Sequence, residues 1–255
     1  ALESKSTAMK YLAQAALNKA ETLLDFSLIK SNVPIQDPRK LTFMEVALAG
    51  IDNNLKMPDD ERQQCQRRDQ EVFCRIQSQI ADRKSPDQIR LHDGTEQYLQ
   101  PSYVIPSYDQ RIRQTAREIV MKADGTHQRI LLLIDWMRDN IRQEPVDVFS
   151  ALDVLEGKKA ECQGHTFLYA AFARALGIPT RVVNGIVYSA EFQGFLYHTW
   201  AESLLEGRWI AVDPTFRQVP ADATHVKLIE GENVADLLPL VDLVGKLKLR
   251  IIQMH

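Results

Sequence analysis

The N-terminal third of the chain alternates between one amphipathic segment and several short apolar stretches. Apolar residues recur at three- and four-residue steps over residues 5–24, which predicts a helix with one apolar face. Residues 24–31, 41–49 and 71–80 are rich in β-branched, aromatic and leucine residues, so they are predicted strands. The polar stretches between them predict loops, including residues 81–95. Residues 1–95 are therefore predicted to form a helix and a small β region.

The middle of the chain is predicted to be helical. Asp109 precedes a first helical pattern as a capping residue, and a second pattern covers residues 127–140. A short helical turn is predicted from Ser150 and is closed by Gly157. The residues expected to be buried on the second helix are Ile130, Leu131, Ile134, Met137 and Ile141.

The C-terminal part begins with an apolar helix and continues as strands. Residues 162–176 are apolar around most of a helical circumference, which is typical of an interior helix, and Gly177 and Pro179 end it. The predicted strands are residues 180–189, 195–205, 208–213, 224–229 and 246–252. One helix followed by strands joined through hairpins predicts an α+β domain with an antiparallel sheet over residues 96–255.

Composition excludes some classes of partner and leaves the location open. The 255 residues are 45% apolar and 25% charged, as in an ordinary globular protein. A net charge of −3 offers no electrostatic case for binding nucleic acid, and no apolar run approaches the roughly 20 residues of a membrane helix. The sequence begins at Ala1 without Met. If an N-terminal signal or anchor has been removed, a periplasmic or extracytoplasmic location follows.

Three cysteines are too few for a disulfide scaffold. Cys65 and Cys74 either pair in an oxidising compartment or remain two separate thiols, and the sequence does not choose between these alternatives. Both alternatives leave Cys162 as a free thiol.

Cys162 stands where the apolar helix begins. A cysteine in an apolar helix is usually a small buried hydrophobe. At a helix start, however, a thiolate faces unsatisfied backbone N–H groups and the positive end of the helix dipole, which favours the nucleophilic form. A nucleophile needs a base, and His198 is the histidine centred in a predicted strand.

A pairing argument places His198 close to Asp213. If Glu206-Gly207 is a two-residue hairpin turn, Leu205 lies opposite Arg208 and Trp200 lies opposite Asp213. His198, Trp200 and Asp213 then share one face of the sheet. Diagonal neighbours on a face are about 7 Å apart between Cβ atoms, within reach of a hydrogen bond from imidazole to carboxylate. The alternative is that Asp213 merely initiates a turn before Pro214.

Three motifs in order resemble the bacterial transglutaminase-like superfamily, within the papain-like group of cysteine enzymes. They are CQGHTFLYAAFARALGIPTR at residues 162–181, YHTWAE at 197–202 and GRWIAVDPT at 207–215. The resemblance implies a papain-like transglutaminase core for residues 96–255, with helices packed on an antiparallel sheet. It also implies a Cys162–His198–Asp213 triad with Cys162 as nucleophile, His198 as general base and acid, and Asp213 as the residue that orients His198.

The implied chemistry is acyl transfer or hydrolysis at a protein or peptide amide, through a thioester on the nucleophile. A cysteine protease, an amidase or a noncatalytic interaction module of the same fold are the alternatives. The residues expected at or near the substrate are Trp200, Gln163, His165 and Tyr197, with Gln163 considered as an oxyanion donor by adjacency.

No cofactor and no metal are expected, because the sequence has no acidic cluster with calcium-loop spacing. A zinc site built from Cys162, His165, His198 and Asp213 fits by ligand type, but the triad already accounts for the thiol. The role of His225 stays open.

Overall fold

The computed structural model describes residues 27–79, 94–146 and 150–255. The predicted helix at residues 5–24 lies outside these ranges, as does nearly all of the predicted loop at 81–95. Of the strand predicted at residues 24–31, the described part forms a strand only at Ile29–Lys30. No helix among the described residues is long and apolar enough to cross a membrane.

The described residues form sixteen main elements. In chain order they are β1 (Ile29–Lys30), β2 (Phe43–Ala49), β3 (Gln63–Arg68), β4 (Glu71–Gln77), α1 (Gln110–Ile119), α2 (Thr126–Asn140), β5 (Arg142–Gln143), α3 (Ala151–Gly157), β6 (Lys159–Ala160), α4 (Cys162–Ala175), β7 (Thr180–Ser189), β8 (Gly194–Leu205), β9 (Arg208–Val212), β10 (Val226–Glu230), α5 (Val234–Val241) and β11 (Lys248–Met254).

The main sheet is antiparallel and has five strands. Its order is β1-β8-β7-β10, and β9 pairs with β8 as well. Helices α1 to α4 pack on one face of this sheet and share a continuous apolar core with it. Helix α4 runs through that core, which is why its apolar residues surround the whole circumference. The α+β fold predicted from the sequence, with helices on an antiparallel sheet, is confirmed.

A second antiparallel sheet of four strands has the order β11-β2-β4-β3. It combines N-terminal strands with the C-terminal strand β11, while β1 joins the main sheet. The described N-terminal strands are therefore divided between the two sheets, and the division at residue 95 stays a prediction. Cys65 and Cys74 lie directly opposite each other on β3 and β4 and form a disulfide.

The β8–β9 hairpin has the register predicted from its turn. Leu205 pairs with Arg208, and the pairing continues to Ala201 and Val212. Both residues of the turn have positive φ, 54° for Glu206 and 80° for Gly207, as a type I′ turn requires. The register brings His198 and Asp213 to the same face of the sheet.

Three features differ from the sequence-based expectations. Leu131 is 37% exposed, so its predicted burial is wrong, and Leu133 takes the core position instead. Strand β3 and helix α5 were not predicted. Every residue of strand β3 except Cys65 is polar, so β3 lacks the alternation of a half-buried strand. Helix α5 exposes apolar residues and contains Pro239, so it lacks the usual helical pattern as well.

Buried charges join the second sheet to the main sheet. Lys227 on β10 is fully buried and forms ion pairs with Asp60 and with Glu202 on β8. Arg62, immediately before β3, is buried and donates hydrogen bonds across to residues before β10. The residues just before β3 therefore contact β10 and the segment that leads into it directly.

Candidate active site

Cys162 lies at the first position of α4 and is held close to β8. The Thr166 hydroxyl hydrogen-bonds to the Cys162 carbonyl oxygen at 2.9 Å and to the Thr199 carbonyl oxygen at 3.0 Å. This hydroxyl ties the first turn of α4 to the strand that carries His198. Cys162 is partly exposed and takes part in no disulfide. Its backbone N–H belongs to the first turn, where helices leave N–H groups without intrahelical partners.

His198 and Asp213 form a buried hydrogen-bonded pair. His198 Nε2 lies 2.7 Å from Asp213 Oδ2, and the two residues are 7% and 0% exposed. Because Nε2 faces the carboxylate, Nδ1 is the ring nitrogen left for Cys162, whose side chain also interacts with His198. The three residues of the implied triad are thus brought together.

The electrostatics of the pair favour an imidazolium and a carboxylate. Burial alone would lower the pKa of His198, but the charge and hydrogen bond of Asp213, together with Cys162, raise this pKa to about 10. Burial likewise opposes ionisation of Asp213, yet His198 and His225 hold its pKa well below the usual range. His198 can therefore carry a proton at neutral pH beside the thiol.

Aromatic side chains fix the plane of the His198 ring. Phe216 stacks on it with ring centroids 4.7 Å apart and an interplanar angle of 7°. Trp200 stacks more distantly, at 6.3 Å and 18°, and is fully buried. Trp200 therefore packs against His198 from the protein interior and does not line the cleft.

Asp213 accepts four hydrogen bonds. Its Oδ1 accepts from the backbone N–H groups of Thr215 at 2.8 Å and Phe216 at 2.9 Å. Its Oδ2 accepts from His198 and also lies 2.9 Å from Nε2 of His225, which is fully buried. His225, whose role the sequence left open, thus contacts the implied triad directly.

Within the described ranges, the side chains of His198, Asp213 and His225 bring three potential metal ligands within 4.8 Å of one another. Their short distances are those of hydrogen bonds between these same groups. Cys162 and His165 are not part of this group. The zinc site drawn from four residues of the sequence is therefore not assembled, and the absence of a metal stays a prediction.

The other residues predicted near the site occupy two different places. Gln163 and Tyr197 line the same cleft as Cys162 and His198. His165 is buried in the first turn of α4, where its Nδ1 lies 3.0 Å from the Glu161 carbonyl oxygen, and it does not line the cleft. Burial lowers the pKa of His165, so at neutral pH it is an uncharged packing partner beside the site.

The cleft beside Cys162 has a volume of about 310 Å³ and two unlike walls. One wall is formed by α4, β7 and β8 and carries polar groups, including the hydrogen-bonded side chains of Asn184 and Thr199. The other wall is apolar and comes from α5 and the turn after it. Its residues are Leu237, Leu240, Val241 and Val244. Because α5 was not predicted, this apolar wall was missed as well.

The fold and the site define an α+β protein with the architecture of a cysteine enzyme, in which a thiol at a helix start meets a histidine and an aspartate from a β-hairpin. Residues 113–214 match the family described as the transglutaminase-like superfamily. This segment of the chain is a transglutaminase-like domain. The matched residues run from α1 to the residue after Asp213 and include Cys162 and His198.

Two solved structures are similar to this chain. A crystal structure from Cytophaga hutchinsonii, described as a candidate cysteine protease, has a TM-score of 0.56 at 18% identity, covering 84% of this chain and 86% of that one. The periplasmic domain of TgpA from Pseudomonas aeruginosa has a TM-score of 0.46 at 17% identity, covering 77% of this chain and 90% of that one.

A curated relative matches over a shorter stretch. Mouse (Mus musculus) kyphoscoliosis peptidase is 24% identical over 129 residues, which are 46% of this chain and 20% of that protein. The match spans a fifth of that relative's length. It therefore concerns one segment of the relative and does not extend to the whole protein.

Proposed function

We propose that this protein catalyses cysteine-dependent acyl transfer or hydrolysis at protein or peptide amides, with Cys162, His198 and Asp213 as its catalytic triad. The observation that carries the proposal is the buried His198–Asp213 pair, which leaves the other ring nitrogen of His198 for the Cys162 thiol. An orienting carboxylate, a histidine and a thiol in this order are the parts that nucleophilic acyl transfer requires.

The reaction proceeds in two halves. Cys162 Sγ attacks the amide carbonyl carbon, and His198 gives its proton to the departing nitrogen as the C–N bond breaks, which leaves a thioester on Cys162 and a free amine or ammonia. Water or a second amine then attacks the thioester, and His198 removes a proton from this attacking water or amine. The C–S bond breaks, the product is an acid or a new amide, and the proton returns to the Cys162–His198 pair.

The oxyanion formed in each half needs hydrogen-bond donors. The Cys162 backbone N–H is a suitable donor because it lies at the start of α4, adjacent to the reacting sulfur. Gln163 lines the same cleft, so its side chain amide is a candidate for the second donor. A Gln163→Ala variant with an unchanged turnover number would remove it from this role.

The shape of the cleft supports a polypeptide substrate. The cleft is open to solvent and offers polar groups on one wall and the apolar side chains of α5 on the other. An extended peptide offers both kinds of partner, backbone amides and apolar side chains. We therefore assign the substrate as a polypeptide, with either a glutamine side chain or a backbone amide at the reacting carbon.

The decisive experiment compares the possible acyl acceptors. A panel of glutaminyl peptides is incubated with the protein, with and without a primary amine such as putrescine, and amine incorporation, ammonia release and peptide cleavage are measured together. Incorporation identifies a transglutaminase, ammonia release without incorporation a deamidase, and cleavage a protease. Cys162→Ala, His198→Ala and Asp213→Asn variants should each lower turnover by about 1,000-fold or more.

A noncatalytic interaction module is the outcome that contradicts the proposal. It would show no turnover of any peptide, and Cys162 would react with iodoacetamide no faster than glutathione does at the same pH. Activity retained in Cys162→Ala would also overturn the proposal, because no thioester can form there.

We also propose an oxidising, extracytoplasmic location. It is supported by the Cys65–Cys74 disulfide, since structural disulfides persist mainly outside the reducing cytosol. Isolation of the protein from its source under thiol-blocking conditions tests this location. A protein that carries three free thiols when it is isolated would contradict it.

A further inference from the structure

The residues between β9 and β10 place a second histidine against Asp213. His225 is fully buried, and each of its ring nitrogens faces a carboxylate oxygen. Nε2 lies 2.9 Å from Asp213 Oδ2, and Nδ1 lies 3.2 Å from Asp222 Oδ1. A carboxylate accepts hydrogen bonds and cannot donate them, so His225 Nε2 is the donor to Asp213.

The carboxylate of Asp213 is therefore fixed on both oxygens. The torsion that orients an aspartate carboxylate is broad, so hydrogen bonds set its plane. Two backbone N–H groups hold Oδ1, and His225 holds Oδ2, the same oxygen that faces His198 Nε2 at 2.7 Å. Without His225, Oδ2 would keep only its contact with His198.

His225 is itself held from two directions. Asp222 faces its Nδ1, and the Asp222 carboxylate is fixed in turn by the Thr224 backbone N–H and hydroxyl and by Gln218. From the residue just before β3, Arg62 donates to the carbonyl oxygens of His225 at 2.8 Å and Asp222 at 2.7 Å. The Trp200 and His225 rings pack edge to face, with centroids 5.3 Å apart. The imidazole has little freedom to rotate away.

We propose that His225 is a positioning residue, which orients Asp213 toward His198 and so activates Cys162. This inference rests on the proposed function, because it assigns His225 a part in the same reaction. His225 does not line the cleft and acts only through Asp213.

The test measures the activation of Cys162 without any substrate. The thiolate is the form that reacts with iodoacetamide, so a paired, activated cysteine reacts nearly as fast at pH 6 as at pH 9. Greater exposure of an ordinary thiol would raise both rates together. The rate at pH 6 divided by the rate at pH 9 therefore separates activation from exposure. Both rates are measured by mass spectrometry of the Cys162 peptide under nonreducing conditions.

Three variants make the comparison. In His225→Ala we expect the ratio to fall by about 10-fold or more, the usual loss when an orienting hydrogen bond is removed. In His225→Gln, whose amide can still donate to Asp213, we expect the ratio to lie within about 3-fold of the wild-type value. Tyr169→Phe, which removes a buried hydrogen bond to Ser203 elsewhere in the core, should lower stability and leave the ratio unchanged.

A second measurement needs no variant. In the wild-type protein labelled with ¹⁵N-histidine, His225 Nε2 should carry a proton at neutral pH because it donates to Asp213. An unprotonated Nε2 overturns the proposal even if His225→Ala fails to fold.

The results also separate this inference from the proposed function. If the wild-type ratio is as low as that of glutathione, the proposed function fails. If the wild-type ratio is high and His225→Ala retains it, only the positioning role of His225 is wrong.

Discussion

His198 Nε2 lies 2.7 Å from Asp213 Oδ2, and one two-residue turn sets this distance. Glu206 and Gly207 form a type I′ turn that fixes the β8–β9 register, and the register brings both side chains to one face. The contact is buried, so water screens it only weakly. The pair therefore contributes both to stability and to the proposed chemistry, and the two contributions have different dependences on pH.

The first prediction concerns the stability of Asp213→Asn as a function of pH. The folded-state pKa of His198 is raised from 6.5 to about 10, so its contribution is fully present below pH 6.5 and is lost as the pH rises through 10. The pKa of Asp213 is lowered from 3.8, so its contribution is present above that value and lost below it. The substitution should reduce the free energy of unfolding by about 3 kcal/mol at pH 5.5 and by much less at pH 10.

Urea unfolding at pH 5.5, 8 and 10 measures this difference. The control is Asp135→Asn, which removes an exposed ion pair with Arg138 and should change stability by at most about 1 kcal/mol at each pH. An equal loss at pH 5.5 and pH 10 in Asp213→Asn would mean that the stabilisation does not come from the ionised pair.

Parts of this site follow from local patterns that the sequence displays. The helix that starts at Cys162 follows from its apolar run and from the Gly177 that ends it. The His198–Asp213 contact follows from a two-residue turn, because such a turn leaves only one register. The family resemblance adds the roles of these residues, which no periodicity contains.

Other parts depend on contacts between distant residues and have no local pattern. The contact of His225 with Asp213 depends on the irregular connection between β9 and β10, which no periodicity constrains. Arg62 and His225 are 163 residues apart in the chain, and their contact follows only from how the two sheets pack. Helix α5 was missed because it turns apolar residues toward a cleft and toward solvent, which reverses the usual amphipathic pattern.

The second prediction concerns Gly185, which pairs with His198 across β7 and β8. A Cβ atom at this position would lie 2.1 Å from the Val226 carbonyl oxygen and 2.8 Å from the Trp200 ring. Gly185→Ala should therefore displace β10 or the ring that supports His198, lowering the free energy of unfolding by about 1–3 kcal/mol. Thermal and urea unfolding measure this loss.

The matched control for Gly185 is Gly157→Ala. A Cβ atom at Gly157 meets nothing within 4 Å, so that variant should stay within about 0.5 kcal/mol of the wild type. Equal stabilities of the two variants would show that β7, β10 and Trp200 are less closely packed than the distances indicate.

The third prediction concerns the disulfide between Cys65 and Cys74. It closes a short loop between β3 and β4, and a cross-link of this loop length stabilises by about 2–3 kcal/mol. Cys65→Ala combined with Cys74→Ala should lose about this much in urea unfolding, while the reactivity of Cys162 stays unchanged. Thiol titration of the denatured wild type should find one thiol before reduction and three after it. Three thiols before reduction would exclude the disulfide.

The fourth prediction concerns the apolar wall of the cleft, and the two ends of α5 provide a matched pair of variants. Val241 lines the cleft with Cys162 and is 67% exposed, whereas Val234 is 80% exposed and does not line it. If a polypeptide substrate places an apolar side chain against this wall, Val241→Asn should raise KM about 5-fold with little change in kcat, because it weakens binding without touching the reacting groups. Val234→Asn should change neither constant.

Steady-state kinetics with peptides that differ only in the residue next to the reacting amide make the measurement. The increase in KM of Val241→Asn should be largest for peptides with leucine or phenylalanine at that position. Equal kinetics of the two variants on all peptides would mean that the substrate passes the cleft without contacting α5.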